Sequence, residues 1–552
     1  MIRKLIALAI AGIISASFAT VDPLTYAPIF DADINTGDSI VWEPTDAGGA
    51  PIYRALQEQV FVDSGAALVI KPGCYIFGVN GPLQRRAGAL VVARGGRLYA
   101  EGTKENPIVF TTIGDEPNDP FDIGPGAKGL WGGVVMMGKA PISNPNDSGT
   151  FAGMHIMEGI DKNDHRAYYG GTNPADFSGI VKYVSIRHGG SALVSAEEVN
   201  ALTMGGIGSA TQIDYVEAFA NSDDAFEWFG GNVKATHLVA AFCQDDHFDY
   251  DEGWQGGGQY WFSIHQEYEG DRAGEHDGNQ SGDTYYSIPT IANVTYIGSG
   301  INASNTKNRP GILFRDNAGG HYYNAIVTNF PGSPLLNDVD GLPWSNSDLT
   351  VKNSIFGGNG GSMNTTDATY IFATETTNKS SDPQIRQVAS VIGQKQLDPR
   401  AKSGSPVYSG YATSIPTTHP DAFDTPAYMG AFGENDLWIE EWTALDEMDI
   451  LSGFLSLSPQ TSNITQGQAF DLTLILTKSG VSVPSGSIVV NGFDATSLLL
   501  PSLIIEPIPN VGLGFRFPLT GAGLGAGKKN IVATLNLSDG TTVTDEAVID
   551  VQ

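Results

Sequence analysis

The 552-residue sequence is poor in basic residues and in cysteine. Lys and Arg total 30 against 61 Asp and Glu, which gives a formal net charge of −31. Nucleic acids and anionic lipid surfaces are therefore disfavoured partners, because proteins bind both through Lys and Arg. The two cysteines, Cys74 and Cys243, lie in no CxxC or Cys/His metal spacing. In an oxidising compartment they could pair, although two buried thiols are the commoner arrangement in a β-rich core.

Long apolar runs are also scarce. The run from Leu5 to Ile14 follows Arg3 and Lys4 and precedes small residues ending at Ala19. It is shorter than the roughly 20 residues that a membrane-spanning helix needs, and its flanks are those of a signal peptide. We therefore predict a signal peptide over residues 1–19 and a product that is secreted or on the cell surface, with the periplasm as an alternative. No later segment is apolar enough to span a bilayer.

The familiar motifs of several enzyme classes are missing. The sequence contains no Walker motif, no Gly-x-Gly-x-x-Gly after a strand, no Gly-x-Ser-x-Gly and no His-Glu-x-x-His. Nucleotide-binding, esterase and zinc-protease functions consequently have no motif in their favour.

Short β-branched runs separated by Gly, Asn and Asp turns dominate from about Gly65 onward, and helical periodicity is hard to find. One internal repeat is clear, because residues 213–227 align with residues 235–249 at a shift of 22. A shift of this size matches one coil of a right-handed parallel β-helix, whose coils stack at the strand spacing of about 4.8 Å. The alignment predicts that Phe226 stacks on Phe248.

The composition changes near Leu451. About seven alternating strands follow in residues 452–552, which is typical of an immunoglobulin-like β-sandwich, with Ser538-Asp539-Gly540 as a hairpin turn. We therefore predict an all-β chain: a signal peptide, an N-terminal segment over 20–44, a right-handed parallel β-helix over 45–450 and an Ig-like domain. The segment 436–449 is expected to close the β-helix and protect its exposed edge.

The most distinctive chemical feature is a ladder of acidic turns. The 22-residue repeat stacks two sets of carboxylates on one another, and we predict a metal site formed by Asp223, Asp224, Glu227, Asp245, Asp246, Asp249 and Asp251. Many hard oxygen ligands without paired His or Cys favour Ca²⁺. The alternative is that these residues cap their own turns through hydrogen bonds.

A second set of residues, close to the ladder, is predicted to contact a ligand: Trp254, Arg272, Glu275 and Asp277. Aromatic residues near the turns could stack on sugar rings or form an internal stack, and we favour the latter for Trp228, Phe229, Trp254, Tyr260 and Trp261. If the acidic face were catalytic, the candidate partners would be Arg187, His188, Arg272 and Arg315.

Several segments resemble a family of large secreted right-handed parallel β-helix proteins of Gram-negative bacteria. They include ALVVARGGRLYAEGTKENPIVFTT, GLWGGVVMMGKAPI, IVKYVSIRHGG, NSDDAFEWFGGNVKATHLVAAFCQDDHFDYDEGW, GILFRDNAGGHYYNAIVTNF, LDPRAKSGSPVYSG and YMGAFGENDLWIEEWTALD. The resemblance covers roughly residues 60–445 and implies the β-helix fold. It implies no activity and transfers no catalytic residue.

These observations favour an exported, non-catalytic binding or structural protein that engages glycan or another cell-envelope component, with Ca²⁺ ordering the acidic turns. The alternative is a polysaccharide lyase or glycoside hydrolase that acts on the same face. A purely structural envelope protein is the third hypothesis. The sequence indicates no particular oligomeric state.

Overall fold

The computed structural model describes residues 26–80, 87–117, 119–143, 153–193, 198–279, 285–305, 307–388, 397–448 and 450–451, and parts of the chain between 455 and 551. The signal peptide expected over residues 1–19 lies outside the described residues. Short strands separated by turns make up nearly all of the regular structure.

The strands of the first 388 residues are β1 Tyr26–Ile29, β2 Ser39–Trp42, β3 Tyr53–Leu56, β4 Gln59–Val62, β5 Ala67–Ile70, β6 Tyr75–Gly78, β7 Ala89–Val92, β8 Arg97–Glu101, β9 Ile108–Thr112, β10 Val134–Met137, β11 His155–Ile156, β12 Tyr168–Tyr169, β13 Gly179–Arg187, β14 Leu202–Gly205, β15 Gln212–Phe219, β16 Phe226–Phe229, β17 Lys234–Ala241, β18 Phe248–Asp251, β19 Gly257–Ile264, β20 Gly274–Asp277, β21 Thr290–Ala292, β22 Thr295–Ile297, β23 Ile312–Arg315, β24 Gly320–Tyr323, β25 Ile326–Thr328, β26 Leu335–Asn337, β27 Leu349–Lys352 and β28 Ile385–Gln387.

The later strands are β29 Asp398–Ala401, β30 Leu455–Ser458, β31 Thr461–Ile464, β32 Ala469–Leu476, β33 Ile488–Asn491, β34 Ile504–Ile508, β35 Gly512–Thr520, β36 Gly527–Asn536 and β37 Thr542–Val551. Helices are short: α1 Thr365–Ala368 runs into a π-helical turn at Thr369–Thr374, and α2 covers Ala444–Glu447. Single 3₁₀ turns occupy Asp31–Asp33, His165–Ala167 and Pro406–Tyr408.

The strands form a parallel β-helix with two long sheets. Sheet A has 16 strands, and its main path runs β1-β3-β6-β9-β13-β15-β17-β19-β21-β24-β27. Sheet B has nine strands in the order β26-β23-β20-β18-β16-β14-β10-β7-β4. The strand pairs described within these two sheets are all parallel, and successive coils contribute strands to both. Ile213 pairs with Ala235 and Phe226 with Phe248, so the predicted 22-residue register is confirmed.

The interior between the sheets is filled by stacked aromatic rings. Phe226 and Phe248 stack with their centroids 5.6 Å apart and their planes 6° from parallel, as the repeat predicted. Trp228 stacks on both Trp254 and Trp261 at 4.8 Å and 5.0 Å. Because side chains alternate across a strand, the residues between these rings point outward.

Sheet A is bent along a column of left-handed residues. Tyr183, Tyr215, His237 and Tyr260 have φ between 48° and 58°, and each lies at equivalent positions in neighbouring coils. The column continues through three asparagines, Asn293, Asn324 and Asn353, with φ of 52–56°. Asparagine tolerates this conformation better than most residues. The aromatic members offset the unfavourable conformation by stacking, for example at 4.1 Å between Tyr215 and His237.

The C-terminal strap, residues 397–451, packs along this column. Its position differs from the one predicted for the segment 436–449. Its tryptophans Trp438 and Trp442 meet Tyr215 edge-on, and its backbone accepts hydrogen bonds from Asn324 and Asn353. The described part of the segment 436–449 therefore covers the outer face of sheet A, not the end of the stack. The buried Glu217 anchors it by accepting the N–H of Ala444 at 2.7 Å.

The end of the stack is covered by α1 instead. The buried Asp367 on this helix accepts the N–H of Asn337 in β26, the last strand of sheet B, at 3.2 Å. It also accepts the indole N–H of Trp344 at 2.9 Å. A helix over the last strand protects its free backbone groups.

The start of the β-helix also differs from expectation. Strand β1 already pairs in parallel with β3, so the coils begin at Tyr26, within the segment 20–44 that the sequence set apart. Beyond the two sheets, isolated parallel bridges join Ile355 to Lys379 and Leu397 to Leu451. Gly190 shows why glycines mark the corners: φ is +102°, and a Cβ there would lie 2.3 Å from the Ser222 hydroxyl.

The described strands after residue 452 form two four-stranded sheets, β30-β32-β35-β34 and β31-β37-β36-β33. All pairs are antiparallel except β31 with β37. Strands β36 and β37 pair antiparallel, as expected of the hairpin, although the turn 538–540 lies outside the described residues. An Ig-like fold for this region stays a prediction.

The two cysteines are buried free thiols, and burial raises the pKa of Cys74 to about 11.

We expect Phe248→Ala to lower the free energy of unfolding by roughly 3–5 kcal/mol, because it opens a cavity in the aromatic stack. Phe121→Ala is the matched control, since this phenylalanine is exposed and should change stability by less than about 0.5 kcal/mol. Urea unfolding followed by tryptophan fluorescence measures both. Equal effects of the two substitutions would contradict the stacked interior.

Candidate functional site

The outward face of sheet B carries a column of carboxylates. In β16 the side chains of Phe226 and Trp228 point into the core, so Glu227 points outward. The register places Asp249 of β18 beside Glu227, and Glu275 of β20 beside Asp249. The parallel pairing thus sets three acidic residues side by side across three coils.

More acidic residues precede each of these strands in the corner turns. Most of them line a cavity of about 330 Å³, here called the acidic groove, together with one asparagine and three basic residues. The lining residues are Glu158, Asn200, Asp223, Asp224, Glu227, Asp245, Asp246, Asp271, Arg272, Glu275, Lys307 and Arg315. The groove therefore draws its lining from several successive coils and from the loop that carries Glu158.

Four groups of three carboxylates in and beside the groove have ligand atoms within 4.8 Å of one another. They are Asp223/Asp224/Asp245, Asp224/Glu227/Asp249, Asp245/Asp246/Asp271 and Asp249/Glu275/Asp277. Three of the groups include a residue with a basic partner. Lys307 lies 3.9 Å from Asp245, Arg272 lies 3.5 Å from Asp246, and Arg315 lies 2.7 Å from Asp277.

The group Asp224/Glu227/Asp249, here called the central triad, is different. Within the described part of the chain, no Lys, Arg or His forms an ion pair with any of its three carboxylates. Two of them have polar partners: Asp224 accepts the N–H of Asp246 at 2.9 Å, and Glu227 accepts the amide of Asn200 at 2.5 Å. Asp249 is only 8% exposed, and its buried Oδ1 atom has no hydrogen-bond partner.

The electrostatic consequence is a strong preference for protonation. Burial, followed by repulsion from Asp224 and Asp277, raises the pKa of Asp249 well above its usual range. Burial and the neighbouring carboxylates do the same to Asp224 and Glu227. At the margin of the groove, burial and then Glu198 raise the pKa of Asp223 to about 7. The groove therefore favours the protonated form of these carboxyl groups.

The opposite end of the groove is neutralised by two arginines. Arg315 binds Asp277 in a bidentate manner, with Nε and Nη2 at 2.7 Å and 2.9 Å, and this hydrogen bonding raises the arginine pKa. Arg272 lies 3.1 Å from Glu275. Burial alone would lower the pKa of Arg272, but the surrounding carboxylates raise it overall. Both guanidinium groups are therefore held in the charged form.

The donor set of the central triad fits a hard divalent cation. Oxygens bound to one Ca²⁺ at about 2.3–2.6 Å lie at most about 5 Å apart, and the triad satisfies this limit. The unpaired Oδ1 of Asp249 is the oxygen that such an ion would satisfy. Asp224, Glu227 and Asp249 are the residues that would hold it.

A hydrogen-bonded network flanks the groove on the N-terminal side. The hairpin of β11 and β12 lies there, and the buried Tyr169 hydroxyl donates to Oε2 of Glu252 at 2.5 Å. His155 lies 3.1 Å from the other oxygen of Glu252. Burial and then Glu252 raise the pKa of Tyr169 well above its usual value, so the phenol stays protonated.

The structure brings most of the predicted site residues together. All of the predicted metal ligands except Asp249 and Asp251 line the groove, as do Arg272 and Glu275. Asp249 belongs to the central triad, and Asp277 completes the fourth acidic group. Asp251 ends β18 outside the lining. Burial raises its pKa to about 7, and it accepts the N–H of Glu252.

Two groups of predicted residues lie elsewhere. Trp254, predicted to contact a ligand, is instead a fully buried member of the aromatic stack, because it packs on Trp228 inside the coils. Arg187 is buried on the sheet A side, where it binds Glu447 of the strap at 2.5 Å. His188 donates from Nδ1 to the carbonyl of Ala127 at 2.7 Å and does not line the groove.

Three residues of the groove have no signal in the local sequence: Glu158, Asn200 and Lys307. Each lies outside the acidic repeat 213–249 and reaches the groove through the coil geometry. Asn200 precedes β14, one coil from β16, so the parallel register was the one clue to its position.

Among the described residues, no helix combines the length and the apolar character needed to cross a membrane. A family model described as a pectate-lyase-like β-helix domain matches residues 49–396. A comparison with curated proteins finds no match.

We expect Asp249→Asn to raise the melting temperature in chelator at pH 8, because asparagine keeps the shape of the side chain without the repulsion from Asp224 and Asp277. Asp277→Asn, on the same sheet face, should lower it, because that carboxylate holds Arg315. Thermal unfolding by circular dichroism compares the two variants. A decrease of similar size in both would show that the Asp249 carboxylate is as well satisfied as that of Asp277.

Proposed function

Because the chain belongs to the family of pectate-lyase-like β-helix domains, we propose that it is an exported, non-catalytic binding protein for glycans or other cell-envelope components, with Ca²⁺ held in its acidic groove. The observation that carries the proposal is the central triad, where a buried carboxylate has no partner. The family supports a glycan as the ligand class. The groove adds carboxylate oxygens that accept hydrogen bonds from sugar hydroxyl groups.

The role of the cation in this proposal is to hold and orient the ligand. Bound by Asp224, Glu227 and Asp249, Ca²⁺ would supply positive charge and open coordination positions for ligand oxygens. Asn200 orients Glu227 through its amide, and Asp246 fixes Asp224 through its backbone N–H. These contacts prepare the carboxylates without any change in the strands.

The state of the arginines supports binding over elimination chemistry. A lyase that used arginine as its base would need a guanidinium with a lowered pKa. Here the carboxylates of Asp277, Glu275 and Asp246 raise the pKa of Arg315 and Arg272. Both arginines suit the fixed positive charge of a binding site.

Glycoside hydrolysis is the second candidate, and one observation favours it. Hydrolysis of a glycosidic bond needs a carboxylic acid that is protonated at the working pH beside an ionised one. The pKa of Asp223 is raised to about 7, and Asp245 is its neighbour in the same acidic group. A polysaccharide screen separates the two candidates.

The first test measures the cation directly. Ca²⁺ that binds only the folded protein should stabilise it by RT ln(1 + [Ca²⁺]/Kd), about 2.7 kcal/mol at a hundredfold excess over Kd. We expect Asp249→Asn to lose most of this gain and Asp277→Asn to keep it. Melting curves with millimolar Ca²⁺ and with chelator provide the measurement. Identical curves for the wild type would refute the metal site.

The stabilisation of the folded protein by Ca²⁺ should also depend on pH. Carboxyl groups with raised pKa values bind more protons in the folded state than in the unfolded state between about pH 4 and 7, so the cation-free protein loses stability as the pH rises through 7. Ca²⁺ must displace these protons. We therefore expect a larger Ca²⁺-induced rise in melting temperature at pH 8 than at pH 5.5.

The difference between the two melting temperatures is the proper measure here. Buried histidines such as His265, whose pKa is lowered to about 4, act in the opposite direction below pH 6.5. Their contribution is the same with and without Ca²⁺, so it cancels in the difference. An equal gain at both pH values would mean that the groove binds Ca²⁺ without losing protons.

Binding and catalysis are distinguished with a polysaccharide panel. We expect the wild type to be retarded by one or more polysaccharides in affinity electrophoresis, with no reducing ends or unsaturated products released. Release of reducing ends that stops in Asp223→Asn would establish hydrolysis instead. Retardation should weaken in chelator if the cation contributes to the ligand site.

The proposal includes an Ig-like spacing module over residues 452–552. The change of composition at Leu451 supports an independent unit. Expressed alone, this fragment should be soluble and unfold in one cooperative transition, measured by circular dichroism. A fragment that is unfolded in isolation would remove the claim of an independent domain.

A further inference from the structure

A row of exposed apolar side chains lies next to the acidic groove. Phe121, Tyr268 and Ile301 are 58%, 69% and 48% exposed. They lie on three corner loops, residues 119–130, 265–272 and 300–305. The loop 265–272 joins a strand of sheet A to a strand of sheet B and ends at Arg272 of the groove.

The three corner loops are fixed to one another. The side chain of Gln266 donates to the carbonyl of Pro125 at 3.1 Å, and Lys128 forms an ion pair with Glu269. On the other side, the amide of Asn305 donates to the carbonyl of Gly270 at 2.7 Å. The loops therefore lie side by side in a fixed order, with 265–272 in the middle.

The middle loop connects the exposed tyrosine to the groove within a short span. Tyr268 precedes Asp271 by three residues, so their Cα atoms are at most about 11 Å apart. Asp271 lines the groove and belongs to one of its acidic groups. A glycan chain bound at Asp271 would therefore have its following sugar units within reach of Tyr268.

We propose that Tyr268, together with Phe121, forms a stacking platform for a sugar ring of the glycan that occupies the acidic groove. The inference rests on the proposed function and extends it from a single cation-bound residue to a chain of several sugars. A pyranose ring has an apolar C–H face and a rim of hydroxyl groups. Aromatic rings cover the first, and carboxylates such as Asp271 accept hydrogen bonds from the second.

The platform lies outside the aromatic residues that fill the coils. Trp228, Trp254 and Trp261 are fully buried and serve the core. Tyr268 has the opposite environment, because its ring is largely exposed on a loop held by hydrogen bonds from both neighbours. Because the loop backbone is already held by these contacts, a sugar that stacks on the ring has little additional backbone to order.

The test compares Tyr268→Ala and Phe121→Ala with Val339→Ala. Val339 is 99% exposed and follows β26, at a different corner of the coil, so it controls for the loss of an exposed apolar side chain. Affinity electrophoresis uses the polysaccharides that retard the wild type. We expect the apparent Kd to rise about three- to tenfold in Tyr268→Ala, as for loss of one ring contact.

The same variants are measured for their Ca²⁺-induced shift in melting temperature, which should stay at the wild-type value. Tyr268→Trp should retain or improve the affinity for the glycan. Equal affinity of Tyr268→Ala and Val339→Ala would overturn the platform while leaving glycan binding in place. Failure of the wild type to bind any polysaccharide would overturn the proposed function and the platform together.

Sedimentation of the wild type and of Tyr268→Ala adds one more outcome. If the substitution abolishes self-association while glycan affinity is unchanged, the row of apolar side chains is a contact between copies of the chain. That result also overturns the platform. We expect the same sedimentation coefficient for both proteins.

Discussion

Hydrogen bonding between successive parallel coils is the constraint on which the rest of the structure depends. Once Ile213 pairs with Ala235, every later residue of the coil is placed beside its counterpart in the next one. Inside the coils this produces stacked rings such as Phe226 and Phe248. Outside, the same register places Glu227 beside Asp249 at the spacing of neighbouring strands, where two charges repel. The same backbone hydrogen bonds thus align the stacked rings of the core and bring the carboxylates of the groove close enough to repel one another.

That cost is met differently along the groove. At one end, Arg272 and Arg315 neutralise Asp246, Glu275 and Asp277. At the central triad, protonation reduces the repulsion, since a buried carboxylate without a partner favours its neutral form. A divalent cation would reduce the same repulsion, and it would replace those protons on binding. The balance of charge along the groove, rather than any single residue, defines where an ion fits.

The sequence contained enough information for the coil register and for most of the acidic groove, because both follow from one local repeat. Several rings of the internal stack were also predictable, although Trp254 was assigned both to the stack and to a ligand. Phe229 and Tyr260 were predicted for the same stack but lie outside it, where they pack on Tyr169 and His237. The strap could not be assigned in the same way. Its tryptophans pack on Tyr183 and Tyr215, more than 200 positions earlier in the chain, and no local pattern indicates that pairing. Glu158 and Lys307 escaped prediction for the same reason, since long insertions between strands carry them to the groove.

The strap has a consequence for how the stack comes apart. A repeat protein in which each unit contacts only its neighbours unfolds from its ends, one unit at a time. Here the strap runs back along the coils and bonds Asn353, Asn324 and Asn293 before it reaches Glu217. Coils that are not neighbours are therefore joined through a common partner. Fraying of the last coil has to disturb contacts that also serve the middle of the stack, so the coils behave as one cooperative unit rather than as a row of separable ones.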